Sequence, residues 1–155
     1  MPNEQIAGLT IDFEPDAAQE TVDAVHAGLS VYNRRVLGNE QYAPLRLIAR
    51  DAEGQIAAGL LGDLYFNWLY IAILWVREDQ RGLGVGSRLM ALAEEHAIRE
   101  GRTHVHVDTF DFQAPDFYRR LGYTLFGELG PYGDGHTRYY FQKALPNLQL
   151  EQTAP

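Results

Sequence analysis

Apolar residues recur along this chain with two periods, one of two residues and one near four. Ile6 to Phe13 alternates as a first strand and is broken by Glu14-Pro15-Asp16. Asp16 is placed to cap a helix over Ala17 to Val36, with Val22, Val25, His26, Leu29 and Tyr32 near one face and Gly38 at its end. Leu45 to Arg50 and Gln55 to Tyr65 read as two strands joined by the turn signal Asp51-Ala-Glu-Gly54. After a reversal at Asn67, Leu69 to Val76 is almost continuously apolar, as expected of a strand buried on both faces. Val85 to Glu100 returns to the helical period, with Leu89, Leu92, Ala93 and His96 on one side and Gly101 as the stop. Thr103 to Thr109 alternates, Pro115 to Leu121 forms a short helix, and Tyr123 to Leu129 and Thr137 to Ala144 close the pattern as strands around a glycine-rich loop.

The order is therefore β-α-β-β-β-α-β-α-β-β. Hairpins dominate the first half and helical crossovers the second, so the fold class is α/β (α+β). The expected architecture is a mixed, mostly antiparallel central sheet of about seven strands with helices on both faces. A single domain over residues 1–146 is expected, followed by a polar tail over 147–155.

Bulk properties narrow the chemistry. No apolar run reaches the roughly 18 residues that a membrane span needs, and Met1-Pro-Asn-Glu-Gln5 lacks the basic and apolar parts of a signal peptide. The chain contains no cysteine, which removes disulfides, thiolate metal sites and cysteine nucleophiles. A cytoplasmic location is expected. The net charge of −8 speaks against nucleic acid or an anionic membrane as partner and suits a cationic one, such as an amine.

The most specific local feature is Gln80-Arg-Gly-Leu-Gly-Val-Gly-Ser87, set between the apolar strand and the amphipathic helix. Glycines at 82, 84 and 86 let the backbone turn its N–H groups inward without steric cost. The helix that follows adds unpaired N–H groups and the positive end of its dipole, so the segment suits a pyrophosphate. It is not a phosphate loop of the Walker type, since Gly86 is followed by Ser87 and Arg88 with no lysine. Nor does Gly-x-Gly-x-Gly in mid-chain match the Gly-x-Gly-x-x-Gly of dinucleotide-binding folds, although Asp108 lies at a suitable distance.

Leu74-Trp-Val76, four further residues and Arg81-Gly-Leu-Gly-Val-Gly86 together resemble the acyl-CoA-binding signature of the GNAT superfamily of N-acetyltransferases. Ala114-Pro-Asp-Phe-Tyr-Arg-Arg-Leu-Gly-Tyr123 resembles the second motif of that superfamily, and the order and spacing of the two motifs fit as well. The stretch Asp108 to Tyr118 with Gly135-His-Thr-Arg-Tyr139 is similar to a bacterial subgroup without assigned substrates. Where many members carry an asparagine before the second helix, this chain has Gln113.

The resemblance implies acetyl-CoA as acyl donor. Backbone groups of Leu74, Trp75 and Val76 would pair with the pantetheine arm like an added strand. Arg81, Gly82, Leu83, Gly84, Val85, Gly86 and Ser87 would surround the pyrophosphate, and Gln113 would supply an amide hydrogen bond. Tyr118 would protonate the departing thiolate, its phenol having an ordinary pKa near 10. Direct attack by a small-molecule or peptide amine in a ternary complex is then expected, with no metal, and a homodimer is possible.

Other positions stay open. Asp63, Glu128, His136 and Asp108 are candidate bases, none of them singled out by the sequence. Tyr32, Tyr42, Tyr65, Trp68 and the loop Tyr132 to His136 are candidate acceptor walls. His104 and His106 share a strand face but lack a third metal ligand. An acyl-CoA-binding sensor or regulatory module is the alternative to an enzyme, and the presence of Tyr118 favours catalysis.

Overall fold

The alternating stretch at the start of the chain folds back on itself instead of running on as one strand. In the computed structural model, which describes residues 4–38 and 42–147, Glu4–Ile6 (β1) and Leu9–Ile11 (β2) pair antiparallel. Ala7 and Gly8 between them have φ of 51° and 78°, the left-handed pair that a two-residue hairpin turn demands. The helix α1 covers Gln19–Leu37. Asp16 does not cap it: the N-cap is Ala18, without a side-chain hydrogen bond. At the far end, Gly38 takes φ 77° and donates its N–H to Arg34 O at 3.1 Å. These elements form one unit, ending at residue 40, and the remainder of the chain forms another.

The second unit is built on Tyr42–Arg50 (β3), Ile56–Tyr65 (β4), Trp68–Val76 (β5), His104–Phe110 (β6), Thr124–Tyr132 (β7) and His136–Ala144 (β8). They form one sheet in the order β3-β4-β5-β6-β8-β7. All pairings are antiparallel except β5 with β6. The expected mixed, mostly antiparallel sheet is present with six strands, because the first predicted strand became the separate β1–β2 hairpin. The parallel pair requires a crossover, which is supplied by a 3₁₀ turn at Glu78–Gln80, the glycine loop and the helix α2 at Val85–Arg99. A shorter helix, α3 at Pro115–Arg120, joins β6 to β7.

The core lies where α2 meets the sheet. Leu89, Met90, Ala93 and Ala97 of α2 are buried together with Leu60, Leu64, Leu69, Ile71, Val105, Val107 and Phe141. The buried helix face is thus rotated slightly from the predicted one: Met90 and Ala97 are inside, while Leu92 and His96 are half-buried. Strand β6 alternates cleanly, with Val105, Val107 and Thr109 buried and His104, His106, Asp108 and Phe110 half-buried. Residues 148–155, most of the predicted tail, lie outside the described residues. No described helix is long and apolar enough to cross a membrane.

Candidate active site

Strand β5 departs from its predicted double burial, and the departure creates the site. Leu69 and Ile71 are buried, but Ile73 and Trp75 are exposed, Trp75 by 44%. Pairing of β5 with β6 runs from Trp68↔His104 to Ile71↔Val107 and stops there. Strand β6 continues alongside β8 as far as Phe110↔Arg138, and β5 continues alongside β4 to Val76↔Ala58. The two parallel strands therefore diverge like a fork.

A bulge in the β4–β5 pair marks the point of divergence. Leu61 faces Ile73 and Gly62 faces Ile71, so Ala72 has no opposite residue. A side chain at Gly62 would collide with the Tyr70 carbonyl oxygen, so only glycine lets the strands come this close.

The glycine loop sits at the mouth of the fork. Gly82 and Gly84 have φ of 73° and 82°, and Gly84 is the N-cap of α2 with no capping side chain. The first hydrogen bond into the helix is Arg88 N–H to Gly84 O at 3.0 Å. No acidic residue occupies the first turn of α2. The amides ahead of Arg88 are thus open to an anion, and a Cβ built at Gly82 or Gly84 would meet open space. Such a cradle fits a pyrophosphate. Arg81 shapes this loop from behind: its Nε donates to Val76 O at 3.0 Å.

Fork, loop and α3 enclose one cleft of about 750 Å³. Of the sequence-predicted residues, it brings together Leu74, Val76, Arg81, Gly82, Gly84, Val85, Gly86, Ser87, Gln113 and Tyr118. Trp75 and Leu83 do not line it. Both side chains are exposed, and only their backbones lie within the cleft-forming segments. Gln113 accepts hydrogen bonds at Oε1 from Phe110 N–H (2.8 Å) and Thr109 Oγ1 (3.1 Å), which commits its carbonyl end to the loop and leaves its amide N–H groups to offer.

Tyr118 projects from α3, with Pro115 starting the helix. It is only 6% exposed and packs edge-on against Phe117 at 5.1 Å and Tyr123 at 5.9 Å. Burial first, and the nearby Asp108 carboxylate second, push its phenol up to about 12. The group is protonated at neutral pH and able to donate a proton.

Among the four candidate bases, only Asp108 lines the cleft. It stands immediately past the last β5–β6 pair, with Arg138 Nε on Oδ2 at 2.6 Å and the Tyr70 hydroxyl on Oδ1 at 3.3 Å. Asp63 accepts from the Tyr42 hydroxyl at 3.0 Å. His136 Nδ1 lies 3.0 Å from Asp111, and Glu128 sits on the edge strand β7 opposite Tyr139.

Trp68 and Tyr65 stand at the opposite end of β5 from the fork, six residues or roughly 20 Å from Leu74. There Trp68 stacks on His104 at 4.6 Å, and Tyr70 stacks on His106 at 4.7 Å. Burial lowers the pKa of His106, against the opposing pull of the Asp108 carboxylate. Among the described residues, no group of three or more His, Asp or Glu is placed to hold a metal ion.

Sequence reasoning missed Ala72, Thr109 and Arg120 as cleft residues. Ala72 is identified only by the bulge register. Arg120 neighbours the recognised Phe117-Tyr118 pair, and its spacing on α3 was the available signal.

Comparison with known proteins places this geometry. The model of the acetyltransferase (GNAT) family matches residues 12–123. Blasticidin-S acetyltransferase of Streptomyces morookaense is 42% identical over 106 residues, covering 66% of this chain and 78% of that protein. The acetyltransferase Atu2258 of Agrobacterium fabrum is 32% identical over 127 residues, covering 82% and 93%. The crystal structure of an acetyltransferase from Bacillus cereus superposes with a TM-score of 0.76 at 30% identity, covering 86% of this chain and 98% of that one.

Proposed function

The chain belongs to the GNAT acetyltransferase family, and we propose that it transfers an acetyl group from acetyl-CoA to a primary amine by direct attack in a ternary complex. The observation that carries this reading is the fork. Where β5 leaves β6 after Ile71, one cleft unites unpaired strand backbone, the open amides of the glycine loop and a protonated phenol.

Acetyl-CoA supplies a thioester whose carbonyl is open to a nucleophile. The chain's own groups do the rest. The amides from Gly82 to Ser87 hold the pyrophosphate, aided by the dipole of α2. The edge of β5 over Leu74, Trp75 and Val76 that β6 leaves receives the amides of the pantetheine arm, Val76 O being shared with Arg81 Nε. The C–N bond forms as the C–S bond breaks: Tyr118 Oη gives its proton to the departing sulfur, and the proton shed by the attacking nitrogen returns through solvent to the phenoxide. With no cysteine in the chain, a thiol-bound acyl intermediate on the protein is ruled out, which supports direct transfer. The similarity to a blasticidin-S acetyltransferase supports a small-molecule amine over a peptide as acceptor. Light scattering on the purified protein tests whether it is a homodimer.

Calorimetric titration with acetyl-CoA, with NADH and ATP as controls, tests the reading, followed by thiol release across a panel of amines. Micromolar binding of acetyl-CoA alone with amine-dependent thiol release is expected. Binding without release from any amine identifies an acyl-CoA sensor instead, and no binding removes the cofactor assignment altogether.

A further inference from the structure

A buried cluster of charged and polar side chains lies outside the cleft and takes no part in the steps above. Tyr123 donates its hydroxyl to Glu94 Oε1 on α2 at 2.8 Å. Lys143 on β8 donates from Nζ to Glu94 Oε2 at 2.7 Å, and the same Nζ lies 5.4 Å from the Tyr123 ring centroid. Tyr123 is 3% exposed, and the side chains of Glu94 and Lys143 are 14% and 28% exposed. None of the three lines the cleft.

Both carboxylate oxygens of Glu94 are thus engaged, as a buried charge requires. Replacing a buried ion pair by apolar side chains is often neutral for stability, so stability alone does not account for this one. Lys143 is the only lysine in the chain. Its ammonium is a compact charge that can meet the carboxylate and the ring together, whereas a guanidinium is broad and forked. Burial first, and the Glu94 carboxylate second, raise the Tyr123 phenol above its ordinary value. Tyr123 therefore stays a donor to Glu94 at any working pH.

The cluster is joined to Tyr118 twice. The Tyr123 N–H donates to Tyr118 O at 3.1 Å, and the two rings meet edge-on with centroids 5.9 Å apart. Tyr118 also stacks on Phe141, at 6.0 Å and 30° between planes. Phe141 is fully buried in the sheet and shares a face of β8 with Lys143, two residues on. The Tyr118 ring therefore has one neighbour fixed by the sheet and another, Tyr123, whose hydroxyl end is fixed by Glu94.

Two helices must be held in register for the proposed reaction. Helix α2 begins at the glycine loop, which holds the cofactor under the proposed function, and α3 carries the phenol. The proton passes only within hydrogen-bond reach, and an error of about 1 Å can cost about a hundredfold in rate. Glu94 lies on the helix that opens at the cradle. Its bond to Tyr123 ties the frame of the cofactor to the frame of the proton donor.

Resting on the reading of Tyr118 as proton donor, we propose that Glu94 is a positioning residue for acetyl transfer. Through the Tyr123 hydroxyl it fixes the ring against which Tyr118 packs, and so holds the phenol in line with the sulfur. Lys143 holds Glu94 in turn.

The test is a double-mutant cycle on thiol release from acetyl-CoA, with the amine from the panel above that reacts fastest with the native protein. Tyr123→Phe removes one oxygen and leaves the ring. It should lower kcat by about tenfold, less than a full misplacement of the donor costs, with KM for acetyl-CoA unchanged. Glu94→Leu should lower kcat by a similar factor, and the two changes together should cost no more than either alone. In a Tyr118→Phe background, Tyr123→Phe should have no further effect, because the group it positions is gone.

Native kcat in Tyr123→Phe overturns the inference. So does the same tenfold loss in the Tyr118→Phe background, which would mark a general structural effect, and so does a matching rise in KM for acetyl-CoA. If Tyr118→Phe is slow while Tyr123→Phe is native, the inference fails and the proton-donor reading stands. If Tyr118→Phe turns over at the native rate, or if no amine releases thiol, both fail.

Discussion

Between Trp68 and Ile71, strand β5 is hydrogen-bonded to a neighbour on each side; between Ala72 and Val76 it is bonded to β4 alone. The first half buries Leu69 and Ile71 against α2 and the core. The second half exposes Ile73 and Trp75 and borders the cleft. Both halves are almost equally apolar, so composition does not distinguish them. The difference is backbone pairing: the closed half is paired on both edges, and the open half has one edge that β6 leaves, the edge proposed above to receive the pantetheine amides. A single strand thus serves stability at one end and, under the proposed function, binding at the other.

Substitutions should separate the two halves. The largest effect belongs to the closed half. Ile71→Ala should destabilise the fold by about 2–5 kcal/mol through lost burial and a cavity, read from denaturant midpoints, and leave KM for acetyl-CoA unchanged in the folded fraction. A binding defect larger than the stability defect would mean that the halves are not independent.

At the open half, Gly84→Val should weaken acetyl-CoA binding by about a hundredfold or more, because a branched side chain at φ 82° strains the loop and fills the cradle. Calorimetry checks this, and native affinity would dismiss the loop as the pyrophosphate site. Tyr118→Phe should lower kcat by about a hundredfold, the lower range for a lost general acid, with KM for acetyl-CoA nearly constant. Turnover at the native rate would exclude Tyr118 as the proton donor.

The same tyrosine gives a pH effect of known sign. Its folded pKa of about 12 lies above the ordinary 10.0, so its contribution to stability is complete below pH 10 and is lost as pH rises toward 12. The unfolded chain gives up this proton first. Across that window the native protein should lose on the order of 2 kcal/mol more than Tyr118→Phe does, measured by urea unfolding of both proteins at stepped pH. Parallel loss in both would place the titration elsewhere. The smallest effect is expected for Trp75→Ala, an exposed side chain on the open half. It should cost less than about 1 kcal/mol, since its assigned contribution comes from the backbone.

Much of this was legible in residue types. The glycine loop, the Phe117-Tyr118 pair and the order of elements were each carried by local pattern, and local pattern also set the mixed sheet. The misreadings had local causes too. Ile6 to Phe13 alternates like one strand, but Ala7 and Gly8 adopt left-handed φ and fold it into a hairpin. Leu69 to Val76 reads as buried on both faces because hydropathy registers side chains and not whether a neighbouring strand is present. The aromatic residues at 65 and 68 looked like acceptor walls until strand direction put them at the far end of β5.

The geometry of the loop therefore resides in the chain itself: alternating glycines before a helix start leave open amides beside the positive end of a dipole, because the requirement is steric and electrostatic over a few residues. The choice among Asp63, Asp108, Glu128 and His136 was of another kind. Those residues are separated by up to 73 positions in the chain, and their types are interchangeable as acids and bases. Only the register of β6 against β5 and β8, set by long-range pairing and packing, brought Asp108 to the fork and Arg138 beside it.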